Sequence, residues 1–383
     1  MWHGPASWCL PLCTLVWIFF VRVGTCELDI SGSKVVEQLT NLAKFTDDPN
    51  PAVTRVLFKE QDMQARSYVK GLMREAGLTV REDTVGNIFG RWEGQKHEAV
   101  LTGSHCDAIP LAALTSFAHE QAANKAGYGG ASHGDILKGA LVQPQTYSHF
   151  VELHIEQGPL LEQEGLDIGI VTGIAAPAAL TIEFTGAGGH AGALLMHFRN
   201  DAGLAAAEIA LEVERSVLDA NSEDAVGTTG IFEIKPGAIN SVPREAKLGI
   251  DIRDISEERR DAVVQRVLKA AEEVAARRKV GVVSRIINQD PPATCSPEIA
   301  AATAKAAAAL KLKTKHMVSR AYHDSLFMAR IAPTSMIFIP CKDGISHRPD
   351  EFASAKHIEQ GVHVLALTLA ELSQGAWPNK QEL

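Results

Sequence analysis

Three histidines stand in short motifs that lie far apart along the chain, each at an expected turn or strand end. The motifs are Gly103-Ser104-His105-Cys106-Asp107, Glu152-Leu153-His154-Ile155-Glu156-Gln157-Gly158 and Ile345-Ser346-His347-Arg348-Pro349. Proteins build transition-metal sites by folding distant imidazoles to a common point. The motifs therefore predict strands that deliver three metal ligands to one place, which favours a metal-dependent hydrolase.

Two of the motifs follow or contain stretches with strand character. Residues 99–102 form a short apolar run just before His105, and ligands bind at that end of the strands in open α/β sheets. Residues 151–156 alternate three apolar side chains with two glutamates and His154. A strand would place both acids and the imidazole on one face. That face is either a ligand cluster or the solvated side of an edge strand, and alternation alone does not choose between them.

The middle of the chain has a different pattern from its flanks. Residues 171–288 show strands and two helices in a β-α-β-β-α-like order, which predicts a ferredoxin-like module inserted into a larger domain. Its glycine-rich segment 186–192 carries His190 but lacks the Gly-Lys-Ser/Thr of a phosphate loop. We therefore expect an α/β catalytic domain in two parts, residues 27–170 and 289–383, interrupted by residues 171–288.

Charge and the N-terminus limit partners and compartment. The 383-residue chain has a formal net charge of -9 and no long basic run, so nucleic acid is not an expected partner.

Residues 8–21 are apolar apart from Thr14 and are followed by small residues, which predicts a secretory signal peptide over residues 1–26. A retained anchor is the alternative, and no later segment has the pattern of a membrane span. The odd, sparse cysteines beyond this leader do not form a disulfide framework, and we expect the endoplasmic-reticulum lumen.

The chain resembles the peptidase-M20-like amidohydrolases, which cleave ureido compounds such as allantoate, N-carbamoyl amino acids and ureidoglycolate. The resemblance covers residues 53–372 apart from one gap, and the ureidoglycolate branch is the most similar. It is carried by four stretches: Ile174-Ala175-Ala176-Pro177-Ala178, Pro236-Gly237-Ala238-Ile239-Asn240-Ser241, Asn288-Gln289-Asp290-Pro291-Pro292 and Ser319-Arg320-Ala321-Tyr322-His323-Asp324-Ser325.

This resemblance implies a fold, a cofactor and a set of site residues. The fold is a zinc-peptidase-like α/β domain with a central mixed sheet, interrupted by a smaller ferredoxin-like α+β lid through which two subunits pair. The cofactor is a pair of divalent metals, manganese in the ureidoglycolate branch, with zinc as the alternative. The implied metal ligands are His105, His154 and His347; Asp107 orients His105, His190 polarises the substrate carbonyl, Asn240 and Arg253 hold the substrate carboxylate, and Gln157, Tyr322 and His323 are further substrate contacts.

The chain departs from the family pattern between its first two histidine motifs. The family places a metal-bridging Asp in a Tyr-Asp-Gly motif and, further on, a Glu-Glu pair that supplies the base and a ligand. Here Ser116 falls near the bridging position, and the Glu-Glu pairs of the sequence are Glu257-Glu258 and Glu272-Glu273 in the lid. A gap near residues 111–116 thus removes several tens of residues, about one β-α-β unit of roughly 30 or more.

The departure has consequences for chemistry. Three neutral imidazoles without carboxylates neutralise a metal pair poorly, so we expect at most one metal to bind well. A missing general base typically costs about 10²–10⁴-fold in rate. Asp135, Glu152 and Glu120 are weak substitutes, because nothing around them in sequence mimics the lost strand. The expected function is ureidoglycolate hydrolysis; the alternatives are hydrolysis of allantoate or N-carbamoyl amino acids, or an inactive chain that dimerises with an intact subunit.

Overall fold

The structure is a computed structural model that describes residues 30–48, 53–92, 99–105, 126–128, 138, 140–141 and 146–374. The chain divides into two compact units. Unit 1 comprises Met1–Thr172, Cys295–Met317 and Phe327–Leu383, and unit 2 comprises Gly173–Thr294 and Val318–Leu326. The expected leader over residues 1–26 lies outside the described residues. The functional domain boundaries given above remain a prediction.

Most elements of unit 1 flank the inserted segment in sequence. In the first part they are α1 Gly32–Ala43, α2 Glu60–Glu75, β1 Thr79–Glu82, β2 Ile88–Arg91, β3 Ala99–Thr102, β4 Tyr147–Ile155, α3 Leu160–Glu164 and β5 Ile168–Ile174. After the insertion come β12 Ala293–Thr294, α6 Pro297–Ala309, β13 Thr314–Ser319, α7 Ser325–Met328, β14 Thr334–Ile339 and α8 Ala355–Gln374. Of the elements named here, β12 lies wholly in unit 2, and β5, β13 and α7 lie partly in it.

A mixed sheet organises unit 1, as the sequence predicts for the catalytic domain. Its strand order is β12-β5-β14-β4-β3, with β13 also pairing with β5. Strands β3, β4 and β14 are parallel, whereas β5 runs antiparallel to β14. The core lies between this sheet and the helices α1, α6 and α8, and includes Leu153, Ile155, Ile337, Ile339, Ile299, Ile358, Val362 and Leu365.

Unit 2 has the topology of the expected ferredoxin-like module. Its main elements are β6 Ala176–Thr185, α4 Ala202–Leu218, β8 Val226–Lys235, β10 Glu245–Asp254, α5 Glu257–Arg278 and β11 Gly281–Gln289, and a small sheet joins β7 Gly189–His190 to β9 Ser241–Val242. The four long strands lie in the order β11-β6-β10-β8 with antiparallel neighbours. This is the split β-α-β arrangement in which both helices cover one face, and its core joins Leu180, Phe184, Ile209, Leu248, Ile252, Val263 and Val267.

Local sequence signals mark the helix starts in both units. The Ser256 side chain accepts a hydrogen bond from the Arg259 backbone N–H at the start of α5, and Glu257 and Glu258 occupy its first turn. Ser296 caps α6 with Pro297 in its first turn. Carboxylates near a helix N-terminus and a proline at the first position both stabilise the start of a helix, so local sequence accounts for where α5 and α6 begin. Among the described residues, no helix is both long and apolar enough to cross a membrane.

Two helical glycines in different surroundings test the packing of α8 on the sheet. A Cβ added at Gly361 would lie 2.6 Å from Ile339 Cγ2 and 2.9 Å from Leu153 Cδ1, whereas one at Gly71 in α2 would meet nothing within 4 Å. Gly71→Ala should raise the free energy of unfolding by about 0.5–1 kcal/mol, and Gly361→Ala should lower it by about 1–3 kcal/mol through overpacking. Urea unfolding measures both, and equal effects at the two positions would contradict this packing.

Candidate active site

Strand β4 carries two buried polar side chains on one face. It lies between β14 and β3, and Glu152 and His154 are only 1% and 4% exposed. A carboxylate oxygen of Glu152 and a ring nitrogen of His154 lie within 4.8 Å of each other. The solvated edge-strand interpretation is therefore wrong, because both faces of this interior strand are buried.

The imidazole of His154 is held in one neutral form. Its Nδ1 lies 2.8 Å from the Ile155 carbonyl oxygen, which can only accept, so Nδ1 carries the proton and Nε2 the lone pair. Burial lowers the pKa of His154 from 6.5 to about 4, the bond to Ile155 opposes this, and the charges of His105 and His347 lower it further. A neutral imidazole with its second nitrogen oriented by a backbone carbonyl is the usual form of a metal-binding histidine.

The fold groups the three histidines predicted from the sequence. His105 follows β3 and His154 lies at the end of β4. His347 lies in the loop after β14, and the three strands are parallel. Their C-terminal ends share one sheet edge, and His105 and His347 lie close enough to His154 to depress its pKa. Three imidazoles are a donor set of the transition-metal type, although the group of described residues whose donor atoms all lie within 4.8 Å of one another includes His154 but neither His105 nor His347. The ligand roles remain a prediction.

Two loops hold this edge of the sheet in place. The Glu156 carboxylate accepts the backbone N–H groups of Leu160 and Leu161 at 2.9 and 2.8 Å, so it caps α3 instead of joining the site. The backbone N–H of His347 donates to the buried Glu351 carboxylate at 3.0 Å, while His347 has a left-handed φ of 58°. Such a φ is uncommon outside glycine and marks a residue whose position is fixed by its surroundings.

Gln157 connects the two loops and has one unsatisfied atom. Its amide nitrogen donates to Ser346 Oγ at 2.9 Å, and its φ of 60° is left-handed. The buried Oε1 of Gln157 has no hydrogen-bond partner within the described part of the chain. Because a buried polar atom without a partner is costly, this oxygen is an available acceptor for a ligand N–H, which suits the predicted substrate contact.

In unit 2 the structure brings His190 and Asn240 together. His190 in β7 pairs with Ser241 in β9, and the backbone N–H of Ala191 donates to the Asn240 carbonyl at 2.9 Å. Both predicted residues are exposed. They form one loop cluster although 50 residues separate them in sequence.

The other predicted contacts in unit 2 already have partners within the unit. Asp251 accepts two hydrogen bonds from Arg253, at 2.7 Å from Nε and 3.1 Å from Nη2. The Tyr322 hydroxyl donates to Asp290 at 2.7 Å, and the buried His323 Nε2 lies 2.9 Å from Ser319 Oγ.

Several predicted residues lie outside the described part of the chain. These are Asp107, the conceivable substitutes Glu120 and Asp135, and the gap region near 111–116. Both Glu-Glu pairs lie on α5 in unit 2, as expected. Sequence reasoning missed Ser346 and Glu351, which support the site, because neither follows from strand or helix periodicity. Glu152 lies buried beside His154, as the alternation in β4 predicts for one face of the strand, and its role as a substitute base stays a prediction.

Unit 1 is thus an α/β unit with a mixed sheet, and imidazoles lie at the C-terminal ends of its parallel strands. This arrangement is typical of a metal-dependent α/β enzyme. The sequence profile of peptidase family M20/M25/M40 matches residues 117–371. The ureidoglycolate hydrolase of Arabidopsis thaliana is 46% identical over 91% of this chain and 88% of its own length. The N-carbamoyl-L-amino acid amidohydrolase of Geobacillus stearothermophilus is 31% identical over 90% of this chain and 100% of its length.

A solved structure supports the same assignment. The crystal structure of AtUAH in complex with (S)-hydroxyglycine superposes with a TM-score of 0.81 at 44% identity, covering 90% of this chain and 98% of that one. The chain belongs to peptidase family M20/M25/M40, which confirms the resemblance predicted from its motifs. Its homologues are hydrolases that act on carbon–nitrogen bonds.

The length of the match agrees with an internal loss. The match to the Arabidopsis protein extends over 418 positions, whereas 91% of this chain is about 349 residues. Roughly 70 positions of that relative therefore lie opposite gaps in this chain. This supports the expected absence of several tens of residues, while the location of the gap remains a prediction.

The buried neutral imidazole predicts a specific acid sensitivity of the metal-free protein. The unfolded chain binds a proton at His154 near pH 6.5 and the folded chain only near pH 4. The contribution of His154 to stability is therefore lost as pH falls from about 6.5 to about 4, by about 3 kcal/mol. Urea unfolding with a chelator should show this slope in the wild type and in the exposed control His316→Gln, but not in His154→Gln. A slope unchanged in His154→Gln would contradict it.

Proposed function

We propose that this chain is a metal-dependent amidohydrolase that cleaves ureidoglycolate to glyoxylate, ammonia and carbon dioxide in purine and ureide catabolism. The observation that carries the proposal is the 46% identity to a ureidoglycolate hydrolase across 91% of the chain. The histidines at the strand ends supply the matching chemistry, since a neutral imidazole such as that of His154 suits a divalent metal.

The metal would be held by His105, His154 and His347, with Glu152 as the nearby buried carboxylate. We propose manganese, with zinc as the alternative, and one ion in place of the family's two. A divalent metal at such a site polarises a carbonyl and activates water. The pairing of His154 Nδ1 with the Ile155 carbonyl keeps its other nitrogen available for coordination at neutral pH.

The remaining residues would bind and orient the ureide. Arg253 offers a guanidinium edge to the substrate carboxylate, and Asp251 fixes the plane of that guanidinium. The Gln157 Oε1 would accept a hydrogen bond from the ureido nitrogen, which satisfies its buried atom. His190 would donate a hydrogen bond to the carbonyl oxygen as negative charge develops there. Asn240, Tyr322 and His323 are further proposed contacts, and Asp107 is the proposed partner of His105.

Purified protein with manganese should release glyoxylate from ureidoglycolate, and His347→Ala should abolish this release because it removes a metal ligand. His316→Ala, which changes an exposed histidine of β13, should retain wild-type activity. Absence of glyoxylate release by the wild type, or full activity in His347→Ala, would refute the proposed hydrolase. Allantoate and N-carbamoyl amino acids should be assayed in parallel as the alternative substrates.

The second candidate function is an inactive chain that pairs with an intact subunit, and the roughly 70 unmatched positions favour it. Loss of the bridging Asp and the Glu-Glu pair removes ligands and a base, so metal affinity should fall with activity. Metal analysis after dialysis separates the two functions. About one ion per subunit supports the hydrolase, and well under one supports the inactive chain.

We also propose that the chain forms a homodimer through unit 2. On the outer face of α4, Leu204, Leu211 and Leu218 are exposed at seven-residue spacing, which places them on one stripe. The adjacent β8 is an edge strand of its sheet and exposes Ile231 and Phe232. Exposed apolar stripes and long edge strands need a cover, and a second copy supplies the same helix and strand.

Leu211→Glu should shift the protein from dimer to monomer in sedimentation velocity, because it places a charge in the centre of the stripe. Leu195→Glu changes a leucine of similar exposure, 58% against 60%, outside α4 and should leave the dimer intact. A wild-type monomer, or a dimer that survives Leu211→Glu, would contradict the proposed surface.

The proposed compartment is the endoplasmic-reticulum lumen, on the strength of the apolar segment 8–21 and the small residues before Glu27. Mass spectrometry of the N-terminus after expression in a eukaryotic cell tests it. A mature chain that begins at Glu27 would support a cleaved leader, and a chain that retains Met1 would contradict cleavage.

A further inference from the structure

The ring of His190 is fixed by its own loop. Its Nδ1 accepts hydrogen bonds from the backbone N–H groups of Gly192 and Ala193, each at 3.1 Å. A nitrogen that accepts from two donors cannot carry a proton, so the ring proton lies on Nε2. His190 therefore presents its Nε2–H as a donor on its exposed side.

This loop conformation needs support from outside itself. Gly188 and Gly189 have φ values of 68° and 146°, which favour glycine, and the chain then turns so that Leu194 N–H donates to the His190 carbonyl. The segment is exposed and has little apolar burial of its own. Polar contacts must therefore hold it.

Arg199 supplies two of these contacts. Its Nε donates to the Leu194 carbonyl at 3.0 Å, and its Nη2 donates to the Ala191 carbonyl at 2.5 Å. The Ala191 carbonyl belongs to the same peptide group as the Gly192 N–H that donates to His190. The guanidinium therefore polarises that peptide and strengthens its bond to the imidazole.

We propose that Arg199 is a positioning residue that holds His190 as the tautomer with its proton on Nε2. The inference rests on the proposed role of His190 as a hydrogen-bond donor to the substrate carbonyl. A preorganised donor of this kind acts on charge that develops in the transition state. Arg199 contributes through the loop and through the tautomer of His190.

Arginine suits this position because its planar fork reaches two carbonyls at once. A lysine carries the same charge but offers a point donor, so it satisfies one carbonyl at best. Arg199 lines a cavity of about 400 Å³ together with Arg277, Arg278 and Lys279. Of these, Arg277 pairs with Glu208, which makes it a matched control for charge in the same cavity.

The experiment reads the tautomer and the loop directly in the full-length protein. Proton–nitrogen correlation spectra of labelled histidine report which ring nitrogen is protonated, and His190→Gln assigns the signal. The wild type and Arg277→Gln should show a protonated Nε2. Arg199→Gln should show averaging between tautomers and about 10-fold faster amide hydrogen exchange at Gly192 and Ala193, with Arg199→Lys between the two.

Activity gives a second readout that separates this inference from the proposed function. If the wild type turns over ureide, Arg199→Gln should lower kcat about 10- to 100-fold with KM unchanged, because a donor is misplaced. An inactive wild type would contradict the proposed function, whereas the spectra would still test the positioning role of Arg199. A wild-type ring protonated on Nδ1, or an Arg199→Gln protein with unchanged tautomer and exchange, overturns it. If Arg199→Gln fails to fold, the tautomer of His190 in the wild type and the spectra and amide exchange of Arg199→Lys test the inference instead.

Discussion

The parallel pairing of β4 with β14 is the constraint on which the candidate site depends. Six consecutive residues pair, Phe150–Ile155 with Thr334–Ile339, and all of them are buried. Their apolar side chains join one core with α6 and α8. Because the strands are parallel, their C-terminal ends meet at one edge, which delivers His154 and the loop of His347 to the same place although 193 positions separate them.

Hydrogen bonds in the loops after β4 and β14 fix the positions of the residues at this sheet edge. Glu156 caps α3, Gln157 reaches Ser346, and His347 is anchored through its backbone to Glu351. Left-handed backbone at Gln157 and His347 is tolerated because neighbouring contacts fix both residues. Such strain at a strand end is typical of sites in which a polar side chain must be aimed. Here one amide oxygen of Gln157 has no hydrogen-bond partner among the residues that the structure describes.

The backbone partners of two histidines thus favour opposite tautomers. His154 loses its charge through burial and keeps its proton on Nδ1 by bonding a carbonyl, which suits coordination through Nε2. His190 is exposed and receives two backbone N–H groups on Nδ1, which suits donation from Nε2. The identity of the backbone partner, an acceptor in one case and donors in the other, sets the tautomer and hence the chemistry each ring can perform.

The sequence by itself determined the α/β class, the inserted ferredoxin-like order, the helix caps at Ser256 and Ser296, and the three histidine motifs, since periodicity and capping are local. It also indicated the missing segment. It left open whether the face of His154 was buried or solvated, because alternation is the same in an edge and an interior strand. Only tertiary structure decided this, by placing β4 between β14 and β3. Contacts formed on folding likewise decided the tautomers of His154 and His190. They also decided which carbonyl groups of the His190 loop accept hydrogen bonds from Arg199.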